Sequence, residues 1–183
     1  MHCILIIGDN RNTEAPNLGL NHLLFVREHN RIAEELHLIN PHWNSETVFQ
    51  ETRRIVIAMM QHITYNHFLP SILDKYTMRK YHLFSAKRRF ANVYDNITDA
   101  SITNGFGVAP FRYGHSQVMP QQSLLSDDMK RLVVNKLEDN FLRPNLWQKN
   151  HGQNIPNFAR WLAMKPAMRI DTHGALLHRY KVK

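Results

Sequence analysis

The sequence is short of cysteine. Cys3 stands alone among 183 residues, which excludes an internal disulfide framework and a thiolate zinc site. Seven glycines and eight prolines are too few for a collagenous or low-complexity chain. No run approaches the roughly 18 apolar residues that a membrane span requires. The apolar opening, Ile4-Leu5-Ile6-Ile7, is too short for a signal peptide and runs straight into Gly8-Asp9. Acidic groups are scarce as well: 15 Asp and Glu stand against 23 Lys and Arg, a formal charge of +8. Such a balance favours anions without saying which. What is present is enough apolar material for a core, 43% hydrophobic against 21% charged, over a length that suits one domain. Twelve histidines are the compositional excess.

The patterning predicts a mainly α fold. Residues 18–38 read as an amphipathic helix, with Leu20, Leu23, Leu24, Ile32, Ala33 and Leu36 on one stripe. Asn40-Pro41 stops it, because proline pushes the preceding residue out of helical geometry. Ser45 or Thr47 is expected to cap a second helix, and Thr47-x-x-Gln50 fits a capping box. That helix is expected to reach Leu69 and end at Pro70. Residues 74–103 are polar and turn-rich. Further helices are expected at 105–119, where Pro110 kinks or delays the start, at 127–141 after Asp127, and at 155–169 with Pro156 in the first turn. Only Ile4–Ile7 looks like a strand, and neither an internal repeat nor an interdomain linker is visible.

Several groups are candidates for chemistry. His115 shares a helical stripe with Val108, Phe111 and Val118, an apolar wall with one imidazole, which suits a haem face. A core histidine bonded to backbone fits the same pattern. Arg112 lies three residues earlier, close to that face, and suits an anionic propionate. Arg11 and Glu14, three apart in a polar stretch before the first helix, read from spacing alone as a solvated ion pair. Arg27-Glu28-His29-Asn30-Arg31 reads as a helix face stitched by local pairs. His62 and His67 are five apart, poor geometry for one helix face, so a shared metal is not expected. The clusters Met78-Arg79-Lys80 and Lys87-Arg88-Arg89 match no nucleic-acid module. Asn96-Ile97-Thr98 is a glycosylation sequon that has meaning only in a secreted chain.

Read in order, the segments resemble those of the animal haem peroxidases, the family of myeloperoxidase, lactoperoxidase, peroxidasin and the peroxinectins. Gly8-Asp9-Asn10-Arg11-Asn12-Thr13-Glu14 is similar to that family's Gly-Asp-x-Arg-x-x-Glu segment. Arg27–Ala33, Asn40-Pro41-His42-Trp43, Phe49–Arg53, Ala58 through Pro70, and Phe111-Arg112-Tyr113-Gly114-His115-Ser116 follow in the family's order. The likeness is clearest over 8–119 and fades toward 171. It implies a partial peroxidase domain over 1–183, mostly helical, around haem b. It implies that His115 is the iron's axial ligand, that Arg112 contacts a propionate, and that Arg11 polarises peroxide as the O–O bond breaks. Glu14 matches the glutamate that forms an ester to a haem methyl in several members. Ala15 stands where one branch has a methionine, so a sulfonium link is not expected.

The family's distal Asp-His motif, its calcium-binding loop and the asparagine that orients the proximal histidine match no segment of these 183 residues. The expectation is therefore a fragment of a secreted peroxidase, reducing hydrogen peroxide and oxidising a halide or phenolic donor. A lost general acid–base group of this kind costs about 10²–10⁴-fold. The alternative is a non-catalytic helical remnant, an interaction module of the same family. No nucleic-acid partner and no membrane span are expected.

Overall fold

The structure is a computed structural model and describes residues 10–84, 94–142, 152 and 154–169. The strand expected at Ile4–Ile7, Cys3, Gly8-Asp9 and the basic cluster Lys87-Arg88-Arg89 lie outside these residues. The fold is mainly α. The chain divides into two compact units, one made of residues 1–24 and 101–183, the other of Phe25–Ala100.

In the first unit a 3₁₀ turn, Asn10–Thr13, leads into helix α1, Pro16–Ile39. Pro16 stands at the first helical position, where its missing N–H costs nothing, and the Ala15 carbonyl accepts from Leu18 and Gly19 at 3.1 and 3.2 Å. Leu20, 1% exposed, meets Leu124 and Leu125 of strand β1 (Gln121–Leu125) and Phe158 and Trp161 of helix α6 (Asn154–Met164). The Phe158 and Trp161 rings stack with centroids 5.5 Å apart. β1 pairs antiparallel with β2, Arg131–Lys136, in a register that sets Leu124 opposite Val133.

That second strand overturns the helix expected over 127–141. Val133 and Val134 are β-branched and lose rotamer freedom in a helix, while β1 offers a hydrogen-bonding edge that local periodicity cannot reveal. Asp127 caps nothing; it lies in the hairpin turn and pairs with Arg160 of α6. The expected helix over 155–169 is shorter than predicted, ending at Met164. The expected helix over 105–119 splits into α5 (Asn104–Val108) and a 3₁₀ helix, Pro110–Gln117, which begins at the proline.

In the second unit α1 ends at Ile39 before Asn40-Pro41, as expected. Arg31 bridges Glu28 and Glu35 at 2.8 and 2.7 Å on the exposed face, the local stitching that the charge pattern predicts. Helix α2, Ser45–Ile63, is capped by Asn44, not by Ser45 or Thr47. Asn44 is extended, at ψ 168°, and its side-chain oxygen accepts from the Thr47 N–H at 2.8 Å. Gln50 bonds Glu46 instead of closing a capping box. Pro70 does not end the helical run. A π-helical segment, Thr64–Phe68, precedes α3, Leu69–Ile72, which holds Pro70 in its first turn. A widened turn relieves the clash between a proline ring and the carbonyl four residues back. Within 74–103 a short helix, α4 (Lys75–Lys80), is capped by Asp74, and Met78 is buried. Among the described residues no helix is long and apolar enough to cross a membrane.

Candidate functional site

The segment bearing Arg11 and Glu14 is anchored by its neighbours. Asn12 and Pro16 are buried while Arg11 and Glu14 are exposed. The Glu14 N–H donates to the Arg11 carbonyl at 2.9 Å, a bond between residues three apart. The Glu14 carbonyl accepts from the Leu142 N–H at 3.1 Å, which ties this segment to the chain beyond the hairpin. Backbone bonds and the buried Asn12 and Pro16 thus fix the segment that carries the two ionic side chains.

Arg112 and His115 are also three apart, on the 3₁₀ helix Pro110–Gln117, and share an edge. This corrects the expected stripe of Val108, Phe111, His115 and Val118, which assumed α-helical phase. On a 3₁₀ helix Phe111 stands about a third of a turn away from His115, and Arg112 takes its place. The core-histidine reading also fails. The His115 side chain is exposed, and neither ring nitrogen has a hydrogen-bond partner among the described residues. Arg112 donates from Nε to the Gly107 carbonyl at 3.0 Å, and its guanidinium carbon lies 5.6 Å from the Phe111 ring centroid. Gly107 is a positioning group that sequence reasoning passes over, since a backbone carbonyl leaves no residue signature. Phe106 and Phe111, 45% and 58% exposed, stand with ring centroids 5.8 Å apart beside this edge. A Cβ built on Gly105 or Gly107 would meet nothing within 4 Å, so the surface there is open.

A backbone bond joins Glu14 to Arg11, one 3₁₀ helix carries Arg112 and His115, and all four belong to the same compact unit. The residues fit a haem by their donor chemistry: an imidazole with no hydrogen-bond partner among the described residues, a guanidinium for an anionic edge, and exposed aromatic surface for an apolar macrocycle. Among the described residues no group of three or more His, Cys, Asp or Glu offers a further metal cage.

An exposed imidazole and a guanidinium on one 3₁₀ edge are what this chain offers an anionic, apolar cofactor, and its relatives show to which class of protein it belongs. The chain belongs to the animal haem peroxidase family, whose model matches residues 2–175. It is 38% identical over 167 residues to a peroxidase-like protein of Margaritifera margaritifera, covering 90% of this chain and 21% of that protein. It is 35% identical over 165 residues to chorion peroxidase of Drosophila melanogaster, covering 90% of the chain and 20% of the relative. Human peroxidasin homolog is 42% identical over 135 residues, covering 72% of the chain and 8% of that protein. Among solved structures, peroxidase A of Dictyostelium discoideum matches with a TM-score of 0.74 at 29% identity, over 90% of this chain and 29% of that one. The chain thus spans about a fifth of the length of the first two relatives.

Proposed function

We propose that this chain carries part of the haem-binding and peroxide-activating centre of a peroxidase, within one partial domain over residues 1–183. His115 would hold the iron through its exposed imidazole. Arg112 holds a propionate by charge-assisted hydrogen bonds, and its bond to the Gly107 carbonyl fixes where the guanidinium points. Arg11 would supply a cation that steadies negative charge on a peroxide oxygen. Glu14 would offer its carboxylate to the edge of the macrocycle. Haem, when bound, supplies the redox chemistry of peroxide reduction and of oxidising a halide or phenolic donor. The matched motifs provide the cation and the ligand but not the base that takes the peroxide proton, so a group outside them performs that transfer. The protein acts outside the cell, the setting in which the Asn96 sequon has meaning.

The observation that carries this reading is the shared 3₁₀ edge of Arg112 and His115 beside Phe106 and Phe111. Its test is a haem titration of the chain followed by Soret absorption. A hydrogen bond to a charged group contributes about 1.5–3 kcal/mol, so Arg112→Ala should weaken haem binding roughly ten- to hundredfold. Equal affinities in the two proteins would contradict the assignment.

A further inference from the structure

The spacing of His62 and His67 argues against joint action, because residues five apart diverge around an α-helix. The structure removes that objection. From Thr64 to Phe68 the backbone is π-helical, and the Leu69 N–H reaches back five residues to the Thr64 carbonyl. A five-residue step across such a turn returns close to the same face. The two imidazoles accordingly stand with ring centroids 5.6 Å apart, inclined at 67°, and both side chains are exposed.

We propose that His62 and His67 form a two-imidazole site for a divalent transition-metal ion of the zinc and copper class, separate from the haem-facing edge. Metal–imidazole bonds of about 2.0–2.1 Å put each ring centroid about 3.2 Å from a shared ion. Centroids 5.6 Å apart then subtend about 120° at that ion, within reach of a distorted tetrahedron. Asn66 lies beside the pair: its Nδ2 is 3.1 Å from His62 Nδ1 and donates to the His62 carbonyl at 3.1 Å. That contact occupies Nδ1 and leaves Nε2 for the ion. With the ion on Nε2 the ring proton sits on Nδ1, so the Asn66 Nδ2 contact to Nδ1 opens while Asn66 keeps its bond to the His62 carbonyl. No third His, Cys, Asp or Glu joins the pair among the described residues, so water completes the coordination. An all-nitrogen donor pair selects zinc or copper over calcium or magnesium, which take oxygen.

The π-helical turn makes this pair and an ion mutually dependent: the turn aligns the rings, and an ion bridging them holds the turn. The experiment uses the full chain. Zn²⁺ is titrated calorimetrically into the wild type, His62→Gln, His67→Gln and, as a control for the remaining histidines, the exposed His82→Gln. Cu²⁺ EPR counts the coordinating nitrogens, and amide exchange reads Thr64–Phe68. The expected result is one site in the wild type and in His82→Gln, weakened at least about tenfold by either other change. Two nitrogens should appear on Cu²⁺, and exchange across Thr64–Phe68 should slow with Zn²⁺ only when both rings are present. Ca²⁺ should produce none of this. Unchanged Zn²⁺ affinity in His62→Gln or in His67→Gln, with far-UV CD showing the fold retained, would overturn the proposal.

Discussion

Leu20→Ala tests how the first unit is held together. Leu20 is 1% exposed and packs among Leu124, Leu125, Phe158 and Trp161, so it joins α1, β1 and α6 at one point. Removing its three outer carbons loses their burial, about 0.8 kcal/mol per carbon group, and leaves a cavity lined by two large rings that cannot collapse freely. The combined cost for buried leucine is about 2–5 kcal/mol. Urea slopes for small domains are about 1–3 kcal/mol per molar, so the midpoint of this unit should fall by roughly 1–3 M. The same substitution at Leu38, on the same helix but 78% exposed, should cost less than about 0.5 kcal/mol. Far-UV CD and tryptophan emission follow the transition, and amide exchange locates it. The Leu142 amide, bonded to the Glu14 carbonyl, should exchange faster in Leu20→Ala, because the start of α1 anchors the Arg11–Glu14 segment. If Leu20→Ala and Leu38→Ala give the same midpoint, α1 is not fixed by this core and the anchoring argument fails.

Asn44→Ala should cost about 1 kcal/mol by thermal denaturation, since it removes the acceptor for the Thr47 N–H, while Asn44→Asp should be nearly neutral. Hydrogen bonds from the Thr77 N–H, then from its hydroxyl, hold the Asp74 carboxyl below its ordinary range. A lowered acid stabilises the folded state fully above its unfolded value and loses that stabilisation as pH falls through the folded one. Protection of α4 amides should therefore persist at neutral pH and decline only below about pH 4, and Asp74→Asn should abolish that dependence. Expression through a eukaryotic secretory route should add a glycan to Asn96, removed by Asn96→Gln in a mass measurement. The sequon is open, with Ile97 88% exposed and Asp95 accepting from the Ile97 N–H and the Thr98 hydroxyl.

Helices whose burial has a local period were legible in the sequence. The stripe of α1 and the break at Asn40-Pro41 need only the 3.6-residue repeat and proline sterics. The hairpin was not, because pairing of Leu124 with Val133 is a tertiary contact, and Arg131–Lys136 carries apolar residues at spacings that also suit a helix. The family's motifs pointed to Arg11, Glu14, Arg112 and His115 as candidates, but not to their presentation. That presentation depends on helical pitch. A 3₁₀ helix beginning at Pro110 moves Phe111 off the His115 edge and puts Arg112 on it, and a π turn before Pro70 brings His67 round to His62. Tighter and wider turns both shift phase without altering composition, so a reading that assumes one pitch misplaces the neighbours of each histidine. Asn44, Asp74 and the Gly107 carbonyl were missed for a related reason: each acts as a hydrogen-bond acceptor of a kind common in any loop.

The central claim is that the exposed imidazole of His115 ligates haem iron. His115→Gly removes that ring from the exposed 3₁₀ edge and leaves room there for a free imidazole. Low-temperature EPR of the ferric haem-loaded chain should show an imidazole-ligated signal in the wild type. That signal should be lost in His115→Gly and restored when free imidazole is added to the variant. A wild-type spectrum that persists unchanged in His115→Gly without imidazole would contradict the claim.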